Sequence, residues 1–263
     1  MATLVAHRLD ADREIEQAAQ HAESTLRALG LRAIGEAKRR ELLPIARAAL
    51  RDPDPVCRFW AGWSLALHGD PSSARIAFEC GSSHALLRRS ALELALRCGE
   101  LDWARDVVRS LASSRATRRE AIQAVGIFGD PIAVPWLLEH LDDPEHARAA
   151  GEAISMITGV DLKSVDLTSD PPDDAEPVAA DADLPLPNAA AVREWWSHHR
   201  SEFGAGQRHL GGRPVSAAAA RQVLRDGYQR QRAGAALELA YHEESHVFPV
   251  DARADRQQRA LSA

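Results

Sequence analysis

Residues 242–246 read His-Glu-Glu-Ser-His, a match to the pattern H-E-x-x-H. In that pattern two histidines one helical turn apart hold zinc, and the glutamate after the first serves as base. The chemistry would be metal-assisted hydrolysis, with His242 and His246 as ligands. Such a site needs a third protein ligand. Residues 247–263 hold no histidine and no glutamate, only Asp251 and Asp255. His198, His199 and His209 lie upstream and would serve only in an unusual arrangement. The motif follows AALELAY, whose repeat analogue reaches its helix end there, and Pro249 lies three residues beyond, which suits a solvated helix end rather than a zinc helix.

A second set could do binding rather than catalysis. Arg58, Arg88, Arg118 and Arg148 recur every thirty residues. Stacked guanidinium groups can grip a phosphate or an acidic peptide, or they can form a ladder in which each bonds a neighbouring loop. Six tryptophans stand beside five phenylalanines and two tyrosines. Trp60 and Trp63 share one helical face, and tryptophan is enriched among interface anchors. Trp103 and Trp136 suit gaps between packed helices. The candidate partner-binding set is therefore Arg58, Trp60, Trp63, Arg88 and Arg118. No Ser-His-Asp order, glycine-rich phosphate loop or paired-carboxylate signature accompanies it.

The elements that must carry these residues follow from the period. Gly69, Gly99, Gly129 and Gly159 keep the same thirty-residue spacing, and so do Ala61, Ala91, Ala121 and Gly151. A period in the range of about 20–50 residues marks stacked supersecondary units. Each stretch from arginine to glycine, such as RRSALELALRCG, has helical spacing with a small residue one turn in. The glycine is expected in the left-handed position past the helix end. Asp70, Glu100 and Asp130 follow three of the four glycines and suit the positive start of the next helix. The fold class is all-α, a HEAT-like α-solenoid of helical hairpins spanning 41–159, with a looser helical region over 1–40.

Residues 160–187 break the pattern with eight acids, one lysine and five prolines, a net charge of −7 in a chain of −6. That composition reads as a linker; it would also suit mimicry of nucleic acid toward a basic partner. Residues 1–159 balance 20 basic against 22 acidic groups, which points away from nucleic acid. The three cysteines, Cys57, Cys80 and Cys98, form no pair spacing and suit reduced thiols in a cytoplasmic protein. The N-terminal stretch has no signal-peptide pattern, and no run approaches a membrane span. Residues 188–263 resume as helix, and AALELAY (235–241) nearly repeats SALELAL (90–96), so this region is expected to cap the array as a divergent hairpin.

Two blocks carry a resemblance. GDPIAVPWLLEHLDDPEHARAAGEAISMITGVDL (129–162), and LPLPNAAAVREWWSHHR followed by GYQRQRAGAALELA, resemble a bacterial HEAT-repeat family whose genes often lie beside type VI secretion genes. The resemblance implies a secretion-associated setting and no known reaction. The resulting expectation is a non-enzymatic scaffold, cofactor-free, that binds a secreted effector or a secretion component as adaptor or immunity protein. Membrane, nucleic-acid and small-molecule partners are not expected. The alternative is a HEAT-fold enzyme, metal-dependent through His242 and His246 or directed at nucleic acid through the arginine column.

Overall fold

The computed structural model describes residues 12–170, 181–243 and 246–262. The first eleven residues of the N-terminal region, and 171–180 of the acidic segment, lie outside the described residues. In chain order the α-helices are α1 (Asp12–Ala19), α2 (Ser24–Glu36), α3 (Leu43–Ala49), α4 (Pro55–Leu67), α5 (Pro71–Gly81), α6 (Arg88–Cys98) and α7 (Leu101–Ala112). They continue as α8 (Arg118–Phe128), α9 (Val134–Leu138), α10 (Ala147–Thr158), α11 (Ala189–His199), α12 (Ala217–Asp226), α13 (Gln229–His242) and α14 (Ala254–Ser262). A two-residue antiparallel pair, β1 (His209–Leu210) and β2 (Arg213–Pro214), completes the list. The architecture is all-α, built of helical hairpins as the period predicts. Among the described residues no helix is long and apolar enough to cross a membrane.

The chain forms two compact units. The first takes residues 1–104, 216–225 and 232–263; the second takes 105–215 and 226–231. In the first unit the hairpins are α1/α2, α3/α4 and α5/α6, and their second helices pack side by side, α2 on α4 and α4 on α6. Ile15, Leu31, Ile34, Leu42 and Leu65 form one buried cluster there; Phe59, Leu67, Ala77, Leu94 and Ala240 anchor another. Small residues set the spacing, since a Cβ on Gly62 would come within 2.8 Å of the Ser73 carbonyl oxygen on α5. Asp54 starts α4, accepting the Val56 and Cys57 amides at 2.8 and 3.2 Å, with Pro55 at the first helical position.

Three sequence expectations need correction here. Over its described residues, 12–40, the N-terminal region is not looser than the array: α1/α2 is a full hairpin, packed as the later ones are. Its residues sit 31 rather than 30 positions ahead, Arg27 before Arg58 and Lys38 before Gly69, and Lys38 itself takes the left-handed stop at φ +54°. Gly69, Gly129 and Gly159 are left-handed at φ +88°, +84° and +74°. Gly99 is not; it is extended at φ −76°, ψ 168°. Glycine is needed at 99 for room instead, because a Cβ would lie 2.8 Å from the Trp103 ring.

The third correction concerns the acidic segment and the tail. In the second unit Ile122, Val125, Leu137, Ile154 and Ile157 form the core, and Leu162 and Leu167 from the supposed linker join it. Thr168 bridges Pro187 in antiparallel fashion, and Asp181 and Leu184 are buried. Over its described part the segment is packed structure, because three leucines offer enough apolar area to hold it. Residues 188–263 are likewise not one cap. α11 gives Val192 and Trp196 to the core of the second unit, while α13 gives Ala240 and Leu237 to that of the first.

Candidate protein-interaction surface

The column's arginines Arg58 and Arg88 bond the loop within their own hairpin, not that of a neighbouring repeat. Arg27 donates to the His21 carbonyl at 2.7 Å, Arg58 to that of Asp52 at 2.7 Å and Arg88 through Nε to that of Ser82 at 3.1 Å. Each acceptor lies six residues back, in the loop that enters the arginine's own helix. These bonds satisfy loop carbonyls that the turn leaves without partners. Arg27 also grips Asp52 at 2.6 Å, and this bond holds the Asp52 carboxyl below the usual carboxylate range. In the second unit Arg118 approaches His140 Nε2 at 3.5 Å and stands 6.0 Å over the Trp136 ring, while Arg148 donates to the Leu184 carbonyl. Of the predicted set only Arg88 is well exposed.

Trp63 is corrected outright: it is 5% exposed and packs in the core with Phe59 and Leu67, so it cannot anchor a partner. Three residues separate it from Trp60, but its ring is packed inside the unit, where a Cβ on Gly35 of α2 would lie 2.8 Å from it. Trp60 is left partly open. Its ring stands edge-on to Trp63 at 5.3 Å and lines a groove of about 240 Å³ between α2 and α4, with Ala28, Leu29, Arg32, Asp54 and Val56. The Arg32 guanidinium lies 4.8 Å over the Trp60 ring and pairs with Glu36 at 2.7 Å. Leu29 is 39% exposed, and Leu26, on the preceding turn, 36%. Arg32 and the two leucines were missed in the sequence because α2 is out of register with the thirty-residue columns.

The histidine motif is not brought together as a zinc helix. α13 ends at His242, Glu243 sits in a bend and pairs with Arg221, and His246 lies past the helix in irregular chain. Glu244 and Ser245 lie outside the described residues. His242 Nε2 stands 3.6 Å from the Glu238 carboxylate. His198 and His199 bond the Glu194 and Trp195 carbonyls, and buried His209 bonds that of Gln207. A different trio does converge: Asp143, Glu145 and His146 place ligand atoms within 4.8 Å of one another. Asp143 there closes the turn into α10, accepting the Glu145 amide at 3.0 Å and facing His146 Nδ1 at 2.8 Å. The positive start of α10 and the Arg118 guanidinium nearby both disfavour a cation. Burial, with the charges of Arg118 and His146, pushes the neighbouring His140 imidazole toward its neutral form.

Cys57 offers no activated nucleophile: burial pushes its thiol up to about 11, whereas reactivity needs a lowered value.

A family model of HEAT repeats matches residues 13–97 and 82–158. No curated protein and no solved structure matches the chain. The first matched stretch starts at α1, the hairpin that the columns hid, and the two together run through α10, more than half of the sequence. The hairpin packing, the arginine-to-glycine helices and this match agree, and the chain belongs to the HEAT-repeat family.

Proposed function

We propose that the chain is a non-enzymatic scaffold that binds another protein through the α2–α4 groove of its first unit. HEAT repeats form helical-repeat scaffolds often used for protein interaction. The observation that carries the proposal is Trp60, partly open beneath Arg32 in an apolar groove with Leu29 beside it. An aromatic ring and a guanidinium rimming an apolar recess are the anchors that dominate interface energetics. Arg88, exposed on α6, extends the surface. The resemblance of residues 129–162 and of the C-terminal block to a family near type VI secretion genes suggests the partner: a secreted effector or a secretion component, with this chain as adaptor or immunity protein in the cytoplasm.

Trp60→Ala is expected to weaken capture of such a partner at least about thirtyfold, near 2 kcal/mol. Arg32→Glu should do the same while leaving the melting temperature close to that of the parent. Isothermal titration with the captured protein checks both. Unchanged affinity in the two folded variants would remove the groove from the proposal.

The enzyme alternative has its own test. Purified protein is expected to carry well under one zinc per chain by elemental mass spectrometry. His242→Ala with His246→Ala should leave partner binding unchanged. One equivalent of zinc, lost in the double variant, would favour the metalloenzyme reading instead.

A further inference from the structure

The acidic segment is held by a built site within the second unit. Asp181 is 3% exposed and meets the Arg119 guanidinium of α8 at 2.6 Å. Three residues on, Leu184 is 7% exposed and its carbonyl accepts from Arg148 of α10. Asp183 pairs with Arg230 at 2.9 Å. Pro187 lies over Gly151, where a Cβ would stand 3.2 Å from the proline Cγ and 3.1 Å from Leu162 Cδ1. Position 151 is also where the small-residue column changes from alanine to glycine, which makes the room this strap needs.

Two contacts differ in kind from a core. The strap turns from Asp181 to Leu184, with the Leu184 amide on the Asp181 carbonyl at 2.9 Å, and is extended only over 185–187, where Pro185 and Pro187 leave it few bonds of its own. The Ser169 amide reaches the Leu186 carbonyl at 2.9 Å, and the Asn188 amide just past the strap reaches that of Leu167 at 2.8 Å. The Asp183–Arg230 pair is open to solvent, Asp183 being 72% exposed, and adds little. A single turn and a short extended stretch held by a few side-chain anchors belong to the low end of local stability.

We propose that the face of α8 and α10 bearing Arg119 and Arg148 is a recognition site for an acidic peptide that turns from an aspartate to a leucine three residues on, occupied in the resting protein by residues 181–187. Complementarity fixes the chemistry of the partner. The half-buried Arg119 guanidinium takes the first carboxylate, the leucine is shielded from water, and a second arginine takes the leucine carbonyl. A partner segment with those groups, aided by contacts elsewhere, displaces the strap; tethering gives the strap an effective concentration that a free peptide must exceed. The proposal rests on the scaffold reading, but its test does not involve the Trp60 groove, so either can fail alone.

Hydrogen exchange on the unmodified full chain comes first. The Ser169, Leu184 and Asn188 amides are expected to exchange at least about tenfold faster than the interior amides of α10, through local opening. Exchange of both sets at one rate would mean that the strap opens only with the whole unit, and would overturn the proposal. The second arm uses the labelled peptide DADLPLPN. Fluorescence anisotropy should show it binding the Asp181→Asn, Leu184→Ala double variant at least about tenfold more tightly than the parent, with binding lost on adding Arg119→Ala. A folded double variant that does not bind the peptide, or whose binding ignores Arg119→Ala, overturns it too. If the double variant fails to fold, the exchange result decides.

Discussion

Alanine at position 97 is expected to destabilise the first unit by about 3–5 kcal/mol. Arg97 is a charged side chain left 2% exposed, and its partner Glu238 on α13 is fully buried, with 3.3 Å between them. α13 packs against the guanidinium through Gly234, where a Cβ would lie 2.7 Å from Cζ. Removing the arginine takes the ion-pair partner from a fully buried carboxylate, which keeps His242 Nε2 3.6 Å away, and the lost compensation for its desolvation supplies most of the cost. Taking out both charges, Arg97→Met with Glu238→Met, is expected to recover most of the loss, since an apolar pair of similar volume replaces the ion pair without an orphan. Urea unfolding of the single and double variants checks the cycle. A double variant as unstable as Arg97→Ala would show that packing shape, not the orphaned charge, carries the effect.

Gly129→Ala is expected to cost about 3 kcal/mol, and Gly69→Ala only about 1 kcal/mol, although both glycines are left-handed. The backbone strain of a left-handed alanine is common to the two. At Gly69 a Cβ meets nothing within 4 Å. At Gly129 it would fall on the His209 carbonyl oxygen, where β1 closes onto the helix stop through the His209 amide at 2.7 Å from the Gly129 carbonyl. Alanine there must push β1 away and lose that bond. Thermal melting of the two variants side by side separates strain from collision; equal losses would leave the β1 contact without energetic weight.

The same comparison shows what the sequence makes legible. The thirty-residue columns reveal the hairpins because left-handed stops and close helix approaches demand particular residues. They miss the first hairpin, since a single extra residue moves its column and Lys38 accepts the strained stop that glycine usually takes. They misplace Gly99, whose small size answers to Trp103 rather than to φ. Side chains are harder. SALELAL and AALELAY are nearly one word, yet Glu93 sits on the surface with Arg89 at 3.0 Å while Glu238 is buried against Arg97. Trp60 and Trp63 looked equivalent until the neighbours of α4 on either side were known. The strap was hidden most completely: acid and proline composition reads as solvated chain, and its order comes from buried leucines and from Arg119 and Arg148 on two other elements.

The buried pair between Arg97 and Glu238 also governs the order of events during synthesis. Its members are 141 residues apart in sequence. At about 5–20 residues per second a ribosome needs roughly 7–28 s to deliver the second after the first. For that interval the nascent first unit holds α6 with an apolar flank and a guanidinium that α13 has yet to cover. The hairpins α1 to α6 can form from local contacts, which close quickly, but their last surface stays open until α13 emerges. A helper that shields apolar helix faces during translation would find its substrate there, and the arrival of α13 would dismiss it.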